Sequence, residues 1–196
     1  MEIKLLSCLT KEERKLVKGL SIKKGYSLYK EGEKCSTIGI VVSGEIDIVS
    51  YSIEGKELIY NTIKPGDLFG GNLVFSTDNV FKGNVLAKEK TTVALIKKED
   101  LVVLLQSNKD FLIEFLNKQS DFAKELNSKI KVLSYESSED RFLVYLGMNG
   151  DEITIKSVTD LATTLCMTRE SLSRCLTRLE KKHLIKRKGN QIKRNK

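Results

Sequence analysis

The sequence predicts an α+β chain in three parts: a glycine-rich β jelly-roll barrel over residues 1–108, a long helix over 109–135, and a small basic module of helices and a hairpin over 136–196. Three observations lead there. Short apolar runs bounded by turn residues fill residues 21–97, and ten of the 13 glycines lie between Gly19 and Gly83. One apolar stripe of roughly seven-residue period runs from Leu112 to Leu133. The positive charge is confined: of a formal net +8, residues 151–196 hold 12 Lys+Arg against 5 Asp+Glu, whereas residues 1–150 hold 22 against 21.

Residues 1–20 read as a short helical lead-in, with Thr10 and Glu13 as a capping box and Leu16, Val17 and Leu20 as its apolar stripe. The barrel follows. Its strands are carried by Ile38-Gly39-Ile40-Val41-Val42, Ile46-Asp47-Ile48-Val49 and Val93-Ala94-Leu95-Ile96. Its turns are Lys30-Glu31-Gly32-Glu33, Ser43-Gly44-Glu45, Glu54-Gly55-Lys56 and Pro65-Gly66-Asp67.

Residues 98–106 are helical, Ser107-Asn108 is a break, and a second helix covers 109–133. Leu112, Leu116, Gln119, Ala123, Leu126, Ile130 and Leu133 recur at alternating spacings of four and three, the seam of a two-stranded coiled coil about 35 Å long. Those seven residues are the expected homodimer interface. The alternative is an ordinary amphipathic helix buried in its own subunit. Phe111, Phe115 and Phe122 lie on a flank that suits packing on the barrel. Ser137-Ser138-Glu139-Asp140 is a polar hinge and helix start, and a short helix over 141–148 ends at Asn149-Gly150.

The basic module carries the most local pattern. Ser157 and Asp160 open a helix whose buried face is Val158, Leu161, Ala162 and Leu165. After a tight break at Cys166-Met167, Thr168 caps a second helix with Leu172, Cys175, Leu176 and Leu179 on one face. Arg169, Glu170, Ser173 and Arg174 occupy its first two turns, and Glu170, Ser173 and Arg174 share a face. That is where a recognition helix reaches base edges: arginine donates twice to guanine, and glutamate accepts from cytosine. Ser157, Thr168, Ser171, Lys186, Arg187 and Lys188 are expected on phosphates, the last three from a hairpin around Gly189-Asn190. A lysine tail added for solubility would explain Lys193-Arg194-Asn195-Lys196, but not Arg169, Arg174 and Arg178 inside a patterned helix.

Composition excludes several classes. With 40% apolar and 31% charged residues, the chain is an ordinary globular one. No apolar run reaches the roughly 18 residues a membrane span needs, and the N-terminus is unlike a secretory signal, so a cytoplasmic protein is expected. Cys8, Cys35, Cys166 and Cys175 form no C-x-x-C pair; reduced thiols are expected, with Cys166 and Cys175 as redox candidates. No nucleophile–base pair, metal-ligand cluster or phosphate loop appears, so no catalytic residue and no metal are assigned.

The order of these elements resembles the catabolite activator protein and FNR superfamily of bacterial regulators, from about Gly25 to Ile192. The resemblance rests on Gly32-Glu33-Lys34, Val41-Val42-Ser43-Gly44-Glu45, Glu54-Gly55-Lys56-Glu57, Pro65-Gly66-Asp67-Leu68-Phe69-Gly70 and Thr168-Arg169-Glu170-Ser171-Leu172-Ser173-Arg174. It implies a cyclic-nucleotide-binding-like jelly roll, a dimerisation helix and a winged helix-turn-helix. It further implies a homodimeric transcription regulator on double-stranded DNA, with RNA polymerase as a further candidate partner. Glu170-x-x-Ser173-Arg174 is similar to the FNR-type reading head for a TTGAT-like half-site, and Arg169 matches the position that the cAMP-dependent branch sets on a guanine.

The sequence also departs from the family. Cys166 stands where the turn between the two helices often has glycine. The stretch matching the family's effector pocket includes Gly70, Gly71, Asn72, Phe81 and Lys82, with Gly71 at the ribose-binding glutamate and Phe81 at the phosphate-binding arginine. Cyclic AMP is therefore not expected. Neither is an iron–sulfur cluster, with only Cys8 and Cys35 in the first half, nor haem, with His183 as the one histidine. The barrel then senses an unidentified effector or none. A second reading is a small-molecule sensor with a degenerate pocket, for which DNA is secondary.

Overall fold

The computed structural model describes residues 3–55 and 57–195, apart from the side chain of Tyr60. Met1, Glu2, Lys196 and the Lys56 of the expected Glu54-Gly55-Lys56 turn lie outside these. The chain divides into two compact units, Met1–Asp121 and Phe122–Lys196. Among the described residues, no helix is long and apolar enough to cross a membrane.

The first unit opens on α1 (Lys4–Ser7) and a single 3-10 turn at Glu13–Leu16. The continuous lead-in helix expected through Leu20 does not form. The capping box is made, with the Thr10 N–H donating to Glu13 Oε2 at 2.8 Å, but it serves that one turn. Strand β1 (Lys18–Ile22) begins directly afterwards and pairs antiparallel with β8 (Thr91–Lys97), setting Leu20 opposite Val93. An isolated helix of this length is marginal, and the sheet ladder outcompetes it.

Between them run β2 (Ser27–Tyr29), β3 (Thr37–Ser43), β4 (Ile46–Tyr51), β5 (Glu57–Ile63), β6 (Leu68–Phe69) and β7 (Asn84–Ala87). They make two antiparallel four-stranded sheets, ordered β1-β8-β3-β6 and β2-β7-β4-β5. One core joins Ile38, Ile40, Val41, Val93 and Ile96 of the first sheet to Ile46, Ile63, Val85 and Ala87 of the second. Gly39 lies opposite Phe69 in the β3–β6 register, and a Cβ there would sit 1.8 Å from the ring's Cζ. Only glycine lets the ring fold over the strand. Gly44 has φ +79°, and its missing Cβ leaves room for the Lys90 carbonyl.

Helix α2 (Lys98–Ser107) leads to α3 (Lys109–Leu133), the long helix the stripe announced. Asn108, read as a breaker, is a junction. Its Oδ1 accepts from the Phe111 N–H at 2.9 Å, capping α3, while its Nδ2 donates to the Cys8 carbonyl at 3.0 Å and to Glu13 Oε2 at 2.9 Å. The Thr10 N–H, and after it the Asn108 amide, hold the Glu13 carboxyl below its ordinary range. Phe111 and Phe115 are buried in the barrel core as expected; Phe122 is half-buried.

The second unit takes α3 from Phe122 onward and adds α4 (Ser138–Met148), β9 (Glu152–Thr154), α5 (Val158–Thr164), α6 (Arg169–Lys181), β10 (Ile185–Lys188) and β11 (Gln191–Arg194). Helix α4 starts at Ser138, within the stretch expected as hinge and helix start, and takes in the three residues before 141; Ser137 caps it by accepting from the Glu139 N–H at 3.2 Å. The hairpin forms, and β9 adds a third strand that sequence did not suggest, in the order β10-β11-β9. Val132, Phe142, Leu146, Leu161, Leu165, Leu172, Leu176 and Ile185 are among the residues of its core.

Candidate nucleic-acid interface

The geometry of α6 follows from its two ends and its buried stripe. At its start, Thr168 Oγ1 accepts from the Ser171 N–H at 3.1 Å. Leu172, Cys175, Leu176 and Leu179 are wholly buried, which fixes the rotation of the helix about its axis. Glu170, Ser173, Arg174 and Thr177 therefore face solvent along one side, with Arg169 exposed beside them. At its end, the His183 N–H donates to the Glu180 carbonyl and the Leu184 N–H to the Leu179 carbonyl, both at 3.0 Å. His183, at φ 57°, takes the left-handed position of this Schellman close.

The turn before α6 is closed the same way. The Cys166 N–H donates to the Thr163 carbonyl at 3.1 Å and the Met167 N–H to the Ala162 carbonyl at 2.9 Å. Cys166 has φ 50°. The cysteine in the glycine position thus keeps the turn by accepting a left-handed backbone, at a cost of about 1–2 kcal/mol for a residue with a Cβ. Cys166→Gly is expected to raise stability in urea unfolding by about 1 kcal/mol, part of the gain being lost to the freer unfolded chain. A lowered midpoint would mean the turn is built otherwise.

Ion pairing sorts the basic residues into two sets. Glu139, at the start of α4, accepts from Arg178 Nε at 2.8 Å and Lys182 Nζ at 2.6 Å. Lys182 first and Arg178 second hold its carboxyl below the ordinary range. Glu180 accepts from Arg187 Nε at 2.8 Å. Lys193 pairs with Glu152 at 2.9 Å and Arg194 with Asp151 at 3.4 Å. Lys156, Arg169, Arg174, Lys181, Lys186 and Lys188 are in no such pair among the described residues, nor is Glu170. The unpaired positive charge thus lies at the start of α6 (Arg169, Arg174), on the outer face of β10 (Lys186, Lys188), and at Lys156 and Lys181. Strand alternation explains the hairpin's split: Ile185 and Arg187 turn inward, Lys186 and Lys188 outward.

The expected phosphate ligands differ in the same way. Arg187 is turned toward Glu180. The Ser157 hydroxyl commits its one proton to its box with Asp160, donating to Oδ2 at 2.8 Å and accepting from the N–H at 3.0 Å. The Thr168 hydroxyl accepts its one cap bond and keeps its proton for another acceptor. Ser171 is half-buried, and Lys186 and Lys188 are exposed. Of the redox candidates, Cys166 is exposed and Cys175 buried; burial pushes the Cys175 thiol up, and its Sγ lies 3.3 Å from the Ser138 carbonyl.

Along α3, the expected seam is uneven. Leu116, Leu126, Ile130 and Leu133 are 53%, 47%, 57% and 41% exposed, and Ala123 is exposed with them. Leu112 and Gln119 are half-buried, and Gln119 has a second role. A Cβ on Gly71 would lie 2.4 Å from Gln119 Nε2, so the amide covers the loop after β6.

That loop carries the expected effector residues. Gly70 has φ +75° and would place a Cβ 2.9 Å from the Thr37 carbonyl. Asn72 is exposed. Phe81 is buried and stacks on Tyr29, with centroids 4.6 Å apart and planes 12° from parallel. Lys82 pairs with Asp78 at the surface. A cyclic phosphate needs a cationic fork and a ribose an acceptor; the residues here offer a packed aromatic pair, a glycine under an amide and a lysine with a partner, and they do not fit the group.

Two family models match separate parts of the chain. Residues 20–108 match the cyclic nucleotide-binding domain, and residues 141–195 match the Crp-like helix-turn-helix domain. The chain is 26% identical over 176 residues to the cAMP-activated global transcriptional regulator CRP of Salmonella typhimurium, which covers 85% of this chain and 84% of that one. It is 27% identical over 169 residues to the anaerobic regulatory protein of Bacillus subtilis, covering 81% and 71%. In fold it is similar to the catabolite activator protein of Thermus thermophilus, with a TM-score of 0.57 and 20% identity over 98% of this chain and 93% of that one.

Proposed function

The chain belongs to the CRP/FNR family of DNA-binding transcription regulators, and from that premise we propose that it acts as a homodimer on an inverted repeat. Residues 1–108 serve as the sensory barrel, 109–135 as the pairing helix and 136–196 as the DNA-binding module. Each copy reads a half-site, TTGAT-like, with Glu170, Ser173 and Arg174, and Arg169 stands beside them. The observation that carries this is the unpaired, outward display of those side chains on the first two turns of α6, against the internal pairing of Arg178, Lys182 and Arg187. Basic side chains clustered on one face without internal partners are the electrostatic footprint of a polyanion binder. Selection of bound duplexes from a random pool tests the proposal. The expected yield is two inverted half-sites with centres about 34–36 Å apart, one helical turn. Recovery of sequences without a common half-site would refute it.

Phosphate contacts come from Lys186, Lys188 and the Thr168 hydroxyl. Lys188→Ala is expected to weaken all sequences alike and to reduce the slope of log affinity against log salt by about 1. Arg187→Ala is expected to change that slope less, since its guanidinium already has Glu180. Fluorescence anisotropy over a salt series distinguishes the two variants, and equal slopes would remove the distinction drawn from pairing.

The barrel does not answer to cyclic nucleotides. Phe81 and Tyr29 occupy each other's faces where a charged ligand would need a cation. Calorimetric titration of the whole chain with cAMP and with cGMP is expected to give no binding heat. Micromolar binding of either would overturn this.

A further inference from the structure

We infer that Arg141 is the positioning residue that fixes the spacing between the two half-sites, an inference that rests on the dimer reading above. Its guanidinium sits where two chain ends converge. Nε and Nη2 both donate to the Tyr135 carbonyl, at 3.2 and 2.9 Å, just beyond the last residue of α3. Nη1 reaches the Leu165 carbonyl at 3.5 Å. Leu165 is the C-cap of α5 and immediately precedes the left-handed Cys166 that aims α6. One planar cation thus joins the end of the pairing helix to the turn that orients the recognition helix.

The joint suits its chemistry. Both acceptors lie at helix C-terminal ends, where the backbone presents partial negative charge and unused carbonyls. A guanidinium can hold two such carbonyls in a fixed mutual direction; an ammonium, a single rotatable point charge, cannot. The surroundings are rigid on both sides. Val132, in the last turn of α3, is buried in the same core as Leu165 and Leu172. Arg178 and Lys182 anchor the far end of α6 to α4 through Glu139, two residues before Arg141. The grip on Tyr135 is then what sets the direction in which α3 leaves this module. In a dimer paired through α3, that direction fixes the distance between the two copies of α6. Adding one base pair between half-sites moves one of them by about 3.4 Å, so the preferred gap is a direct measure of this angle.

The test is a duplex library in which the selected half-sites are held constant and the gap between them varies base pair by base pair. The wild-type chain is expected to prefer one gap. Arg141→Ala is expected to keep the half-site sequence and to lose about tenfold of its discrimination between the best gap and its neighbours, the worth of one charge-assisted hydrogen bond. Arg141→Lys keeps the charge and supplies a variant if alanine fails to fold; it is expected to lose discrimination likewise. A purely structural role would weaken binding at every gap in proportion, and an unchanged preference in a folded variant overturns the inference. If the wild-type chain binds lone half-sites with no gap preference, the dimer reading itself fails, and this inference with it. Unchanged preference in the variants beside a sharp one in the wild type fails only the role of Arg141.

Discussion

Leu126→Glu combined with Ile130→Glu is expected to leave a folded monomer that binds a two-half-site duplex about 10²–10⁴-fold more weakly than the wild-type chain. Both side chains are exposed in the single chain, so a carboxylate at either position costs the monomer little beyond mild repulsion between neighbours one turn apart. In a pair of α3 helices the same carboxylates would be drawn out of water against their own copies, and association would fail. Each recognition helix would keep its half-site contacts. What vanishes is the gain from holding two of them on one molecule. Analytical ultracentrifugation with anisotropy on one and two half-sites separates the effects. A double variant that still sediments as a dimer would show that α3 is not the pairing surface, whatever its stripe suggests.

Arg174→Ala is expected to cost about 1–3 kcal/mol on the best site and to relax preference at one base pair while leaving the others intact. The nearby Arg178→Ala gives the contrast. Arg178 lies on the same helix but turns back to Glu139, half exposed, so its loss should cost stability of at most about 1 kcal/mol and leave the base preference as it was. Competition binding against single-base variants of the selected site resolves this. An Arg174→Ala chain with an unchanged preferred sequence would remove Arg174 from the reading head.

Much of this arrangement was legible in the sequence, for physical reasons. The caps Ser157 and Thr168 declare helix starts, four apolar residues at helical spacing declare the buried face of α6, and Gly189-Asn190 declares a hairpin. Such signals are local, and the structure keeps them. What the sequence does not carry turns on partners that only the fold brings together. Leu16, Val17 and Leu20 look like a helical stripe until β8 offers Leu20 a ladder. Strand β9 has one apolar residue, Ile153, and exists because β11 pairs with it. By sequence Arg187 is equivalent to Lys186 and Lys188. Only the fold brings Glu180 to it, and no spacing rule links a helix residue to a strand across a turn. Asn108 looks like a breaker because a helix ends there; that its amide reaches Cys8 and Glu13 depends on contacts some hundred residues apart in the chain.

The four thiols are unequal, and the inequality is useful. Cys35 and Cys175 are shut inside the two cores, Cys8 is partly covered, and Cys166 alone stands open to solvent, at the elbow between α5 and α6. A maleimide dye added to the native protein would settle there first, with no engineered site. It would place an optical reporter beside the start of α6, able to report docking of the proposed recognition helix in real time on the unaltered sequence.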